Sequence, residues 1–210
     1  MIILEAGILS NKKKIKENKR NKTFFTKPSE YVAKNILGDT LVLKTGKYIL
    51  AGKIVETESY PGISDDASHS FGSKITNRNK ILYNSGGIIY VYLIYGMYWC
   101  FNIVTSRQGD PQAVFIRALQ PLEGIEVMKR NRGINNIKML TNGPCRWTRS
   151  FGIDKRFTGG DITGDEIFIL KGPKNFKITK AKRVGIEYAF NSKGKLLRFY
   201  IKSNPFVSKK

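Results

Sequence analysis

Glu56, Glu58 and Tyr60 occupy alternate positions of the run KIVETESYPG. In an extended strand that spacing puts them, with Ile54, on one face, and Val55, Thr57 and Ser59 on the other. Two carboxylates and a phenol beside one isoleucine do not make a core. Such a face meets solvent or lines a polar cavity. A few residues on, DDASHS supplies Asp65, Asp66 and His69, the one histidine of the chain. Taken singly, each has a plainer reading. A strand glutamate usually faces water, a lone histidine is more often structural, and Arg117 in VFIRALQ reads as a salt-bridged sheet residue. Asp65-Asp66-x-x-His69 also imitates a metal ligand set, which would suit a metal-dependent nuclease.

These residues need elements to hold them. Thr40–Lys44 and Tyr48–Glu58 read as strands joined by a turn at Thr45-Gly46-Lys47, and Pro61-Gly62 breaks the second. Residues 62–87 form a long Gly/Ser/Asn/Asp-rich connection, a length that marks function or disorder inside a compact domain. It holds Asp65, Asp66 and His69, then the cations Lys74, Arg78 and Lys80. Residues 88–105 read as a hairpin of two aromatic-rich strands with Tyr95-Gly96-Met97 at the junction. Hairpin tips are normally polar, so a tip of Tyr95 and Met97 suits a wedge entering something that stacks. The competing reading places the turn elsewhere and Tyr95 in the core. Gln112–Leu119 is a further strand, with Phe115 and Arg117 on one face. Helices are expected over Thr26–Gly38, Pro121–Asn131 and Pro144–Phe151, each with a proline in its first turn and a glycine beyond its end. The segment LRFYIKSNPFVS is a strand entering an irregular tail.

Lys and Arg total 37 against 16 Asp and Glu, a net charge of +21 over 210 residues. Solubility needs far less, so a polyanionic partner is expected, nucleic acid before an anionic membrane. NKKKIKENKRNK at 11–22 is a basic low-complexity arm with almost nothing to bury, expected to be flexible without its partner. The chain thus reads as a basic arm over 1–24 and one domain over 25–210. Cys100 and Cys145 lack zinc spacing and fit a reducing cytosol; Cys100, in its aromatic run, reads as a small core residue. MIILEAGIL is too short for a signal peptide and lacks its basic start. No apolar run approaches the ~18–20 residues of a membrane helix.

Laid end to end, VETESY, DDASHS, TNRN, IYVYLIYGMYWCFNIV, VFIRALQPLEG, NGPCRWTRSFGID and RFYIKSNPFVS resemble one family. It is the alkyladenine (3-methyladenine) DNA glycosylases of the mammalian type, also found in bacteria. The similarity covers roughly residues 25–207, and VETESY paired with YVYLIYGMY at this spacing is highly specific. The resemblance implies an α+β fold: a single mixed domain on a curved antiparallel sheet with a protruding β-hairpin and flanking helices. It implies no metal and no organic cofactor. It implies a base excision repair hydrolase that flips an alkylated or deaminated purine from double-stranded DNA and cleaves the N-glycosidic bond with an activated water. A cytoplasmic, nucleoid-associated monomer is expected, with no membrane and no obligate protein partner.

Carried over residue by residue, the resemblance gives Glu58 the attacking water, with Arg117 beside it. Tyr60 would stack on the flipped base and Tyr92 would close the other side. His69 would contact the base and the sugar-phosphate, and Asn102 would lie at the pocket rim. Tyr95, with Met97 at the same tip, would fill the gap left in the duplex. Lys74, Arg78 and Asn79 would face the DNA backbone. Tyrosine faces favour a cationic methylated purine. No lysine stands among these pocket residues, so a Schiff base is not expected and the product is an abasic site. The sequence departs from the family at Phe115, at Cys145-Arg146 and in a longer turn before Gln112. A non-catalytic nucleic-acid binder on the same fold is the alternative, although a mere binder does not need a carboxylate facing a polyanion.

Overall fold

The computed structural model describes residues 12–209. Its centre is β2 (Ile49–Tyr60), twelve residues long and buried along most of its length. β1 (Thr40–Lys44) pairs with the first part of β2, Thr40 opposite Lys53. β3 (Ile89–Ile94) and β4 (Tyr98–Thr105) form a hairpin, and β5 (Gln112–Glu123) joins β4 to β2. β6 (Ile167–Leu170) borders β1, while β7 (Ile178–Ala181) and β8 (Arg198–Ile201) pair with each other. The order is β3-β4-β5-β2-β1-β6, with β8 pairing with Glu56–Glu58 of β2. All of these pairings are antiparallel and the sheet does not close. Register shifts against β5 between Ile54 and Thr57 bend β2 where its partner changes from β1 to β8.

The helical expectations hold in part. The stretch expected as one helix, Thr26–Gly38, is α3 (Ser29–Asn35), preceded by a separate short α2 (Lys22–Phe25). Pro28 disfavours a helical Lys27 and divides the two. The helix expected from Pro121 is instead α4 (Ile125–Arg132), because β5 runs on to Glu123 and Pro121 lies opposite Gly52 in the ladder. Gly124 makes the change of direction at φ +78°, where an added Cβ would meet Leu50 and the Ile49 carbonyl. α5 (Pro144–Phe151) has the bounds expected of it, closed by Gly152 at φ +68°. Its Trp147 is fully buried against Phe101 and donates Nε1–H to the Ile116 carbonyl at 2.9 Å. Thr148 Oγ1 donates to the Trp99 carbonyl at 3.0 Å, so α5 is fixed to both β4 and β5.

The basic stretch also departs from expectation. Residues 1–11 lie outside the described residues. Beyond them, α1 (Lys12–Asn18) buries Ile15 against Val42, Ala51, Phe168 and Leu170. Lys19 bridges to Leu170, and Arg20 donates to the buried Asp39 at 2.7 Å. One isoleucine and two well-placed cations give this segment a seat that its composition concealed. Among the described residues no helix is long and apolar enough to cross a membrane.

Candidate active site

The bulged end of β2 carries the carboxylates, and β5 carries the cation they share. Glu56 and Glu58 are both fully buried. Glu56 Oε1 accepts from Arg117 Nε at 3.0 Å and from Arg198 at 2.9 Å, and its Oε2 accepts from the Ser208 amide at 2.6 Å. Glu58 Oε1 lies 3.2 Å from an Arg117 terminal nitrogen and accepts from the Val184 amide at 2.8 Å. Its Oε2 accepts from the Tyr60 hydroxyl at 3.0 Å. A carboxylate oxygen has two lone pairs, so Oε2 keeps one for a further donor. Burial pushes the Glu58 carboxyl above its ordinary range, against the pull of Arg117, Val184 and Tyr60. Desolvation works against the charge of Arg117, and Glu58 and Glu56 more than restore it. The Tyr60 phenol is driven well above its usual value, first by burial and then by Glu58, so it stays a donor.

Above this cluster opens a cleft of about 550 Å³. Tyr60, Arg117, Tyr92, Tyr90, His69 and Asn102 are among the residues that line it. Glu58 is buried directly against this lining, bonded to three of its residues, Tyr60, Val184 and Arg117. The Tyr92 ring stands 4.6 Å from His69 and 5.2 Å from Tyr90, centroid to centroid. His69 is exposed at the cleft mouth, its Nδ1 3.0 Å from the Tyr90 hydroxyl. Protein crowding its inner side, aided by the charge of Arg78, lowers its pKa to about 4. The ring is therefore neutral at pH 7 and offers one donor and one acceptor. Cys100, in the cleft lining, is influenced by the neighbouring Cys145: its thiol is raised, and that of Cys145 is lowered.

The other expected site residues divide by exposure. Tyr95 forms the hairpin tip with Gly96 and Met97, 85% exposed and at φ +50°, and Met97 is 66% exposed. That excludes Tyr95 from the core. Lys74 and Arg78 are exposed on the long loop, and the Arg78 guanidinium sits 5.1 Å from the Tyr92 ring centroid. Asn79 faces inward instead. It is buried and donates to the His69 and Lys74 carbonyls at 2.7 and 2.8 Å, so it shapes the loop that holds its neighbours. A short polar side chain among exposed cations gave no sign of that. Asn102 is largely buried in the cleft lining, its amide 3.4 Å from the Tyr90 carbonyl.

Asp65, Asp66 and His69 do not converge. Asp65 pairs with the buried Arg183, with 2.8 Å from Nη2 to Oδ1, and Asp66 accepts from the Asn191 and Ser192 amides. Among the described residues no three His, Cys, Asp or Glu side chains gather as a metal would require. Sequence reasoning missed the segment that answers those aspartates. Arg183 lies 4.6 Å behind the Tyr60 ring, Val184 reaches Glu58, and Ile186 and Tyr188 line the cleft. The one signal was a cation amid the apolar run Val184-Gly185-Ile186.

A family model described as methylpurine-DNA glycosylase (MPG) matches residues 23–205. A protein of Clostridium novyi (strain NT), named for 3-methyladenine DNA glycosylase activity, is 44% identical over 198 residues, covering 90% of this chain and 98% of its own length. A relative of the same name from Natranaerobius thermophilus is 43% identical over 190 residues, 88% of this chain and 96% of its own. One from Borreliella burgdorferi (strain ZS7) is also 43% identical over 190 residues, 89% of this chain and 98% of its own.

Proposed function

The chain belongs to the methylpurine-DNA glycosylase family and is a hydrolytic DNA glycosylase; from that premise we propose a monofunctional repair enzyme for damaged purines. An alkylated or deaminated purine leaves the duplex and enters the cleft between Tyr60 and Tyr92. Tyr95 occupies the space it vacates, with Met97 beside it, and Lys74 and Arg78 hold the phosphates. His69, neutral, hydrogen-bonds the nucleotide, and Asn102 shapes the rim. The C1′–N bond then weakens toward an oxocarbenium-like transition state, and a water attacks C1′. Glu58 accepts that water's proton at the free lone pair of Oε2, and Arg117 holds the carboxylate in place. The C1′–N electron pair leaves with the base, which neutralises a cationic alkylated purine or is balanced by a proton from solvent on a deaminated one, and an abasic site remains. The domain over 25–210 acts as a monomer on nucleoid DNA, and the basic residues before it add phosphate attraction.

The observation that supports this most is the buried Glu58, with its raised pKa and one unshared lone pair, under an aromatic-walled cleft in a chain of net charge +21. A raised carboxyl is a better proton acceptor. The experiment uses a duplex with one hypoxanthine or 3-methyladenine. Strand cleavage at the lesion is expected after alkali and not before. No cleavage after alkali would end the proposal, and cleavage without alkali would end its monofunctional part.

A further inference from the structure

Residues 185–196, GIEYAFNSKGKL, leave the cleft wall at Gly185, Ile186 and Tyr188 and carry an exposed aromatic, Phe190, two residues further on. Ile186 and Ala189 are buried with Ala67 beside Tyr60, while Tyr188 is 70% and Phe190 83% exposed. A phenyl ring so open to water gains nothing for the folded state. Yet the backbone under it is firmly held. Asp66 accepts from the Asn191 amide at 2.6 Å and the Ser192 amide at 3.0 Å, and the Tyr188 hydroxyl donates to the Ala67 carbonyl at 3.0 Å. The Asn191 bond, above all, keeps the Asp66 carboxyl below its ordinary value. Lys193 lies 5.9 Å from the Phe190 ring centroid, and Lys195 is exposed nearby in the chain.

We infer that Phe190 is a second stacking element for DNA, resting on the base that flanks the extruded nucleotide. The inference rests on the glycosylase reading above. Three observations carry it. The segment is continuous with the cleft through Ile186 and Tyr188. The ring is presented on a fixed frame, so little ordering opposes contact. Its neighbours are lysines, which suit phosphates and are depleted in the cores of protein interfaces. An aromatic face with adjacent cations matches the two needs of an unstacked nucleotide. Phe190 would then support the flank of the lesion while Tyr95 fills its gap.

The test compares the wild type with Phe190→Ala and Phe190→Trp on a duplex carrying a stable abasic analogue, with 2-aminopurine at either neighbouring position. Melting temperatures check that each variant folds. The wild type is expected to change the 2-aminopurine emission on one side of the lesion. Phe190→Ala should lose that change and bind about tenfold more weakly, the scale of one base–aromatic stack. Phe190→Trp should restore both. Equal binding and equal emission change for Phe190→Ala and the wild type would overturn the inference. So would weaker binding that Phe190→Trp fails to restore in a folded protein. If the wild type itself fails to excise a damaged purine from a matched duplex, the glycosylase reading is what has failed.

Discussion

Glu58 offers the sharpest test at the scale of single residues. Glu58→Gln keeps the volume and the bonds from Arg117 and Val184 in approximate form but cannot take a proton. Excision under single-turnover conditions should fall ~10²–10⁴-fold, with affinity for a lesion duplex retained. Near-normal excision would remove Glu58 from the mechanism. Because burial raises this carboxyl, wild-type excision should climb with pH through a midpoint above 4.5 before levelling. The sign for folding is opposite. The folded chain holds that proton more tightly than the unfolded one, so this contribution to stability declines as pH rises from 4.5 to the folded midpoint. His69 behaves the other way. Its contribution is complete above 6.5 and is lost as pH falls toward about 4. With one histidine in the chain, a proton NMR titration reads it directly, and a midpoint near 6.5 would contradict the crowding described here. Strand alternation was enough to bring Glu56 and Glu58 to one face. It could not reveal that Arg117, Arg198 and the Ser208 amide share Glu56, since those partners come from distant segments.

Among the elements, the β3–β4 hairpin was legible because its aromatic strands flank a glycine. Its bounds, Ile89–Ile94 and Tyr98–Thr105, leave Tyr95 outside both strands. Tyr95→Ser should therefore leave the melting curve nearly unchanged, within about ±0.5 kcal/mol of folding stability. It should weaken the flipped state by roughly 1–3 kcal/mol, read with a fluorescent base analogue opposite the lesion. A large drop in melting temperature with normal flipping would contradict the exposed tip. The α4 boundary was not legible. Pro121 suits a helix start equally well, and what keeps it in β5 is the Gly52 partner across the ladder. Gly52 has so little room that an added Cβ would stand 2.9 Å from Leu119 Cβ. The bulges near Glu56 were equally hidden, since a bulge reflects two strands pairing and no composition marks it.

For the molecule as a whole, charge set the partner class, but charge also disguised structure. The lysine-rich stretch looked unanchored, yet Ile15 and the Arg20–Asp39 pair tie its described residues to the fold. Deleting residues 1–20 should thus lower thermal stability as well as flatten the salt dependence of DNA binding. An unchanged melting curve would show that α1 and Arg20 contribute nothing to the fold. The fold class followed from a resemblance over roughly residues 25–207, and the eight-stranded open sheet agrees with it. The ties around Glu56 also bear on timing. Arg117 emerges from the ribosome long before Arg198 and Ser208, with which it shares that carboxylate. During synthesis the buried charge cluster waits for its last two donors, Arg198 and Ser208. A nascent chain arrested before residue 198 carries the cleft's tyrosines but lacks the Arg198 and Ser208 donors to Glu56, so unfinished copies are expected to be poor at excision.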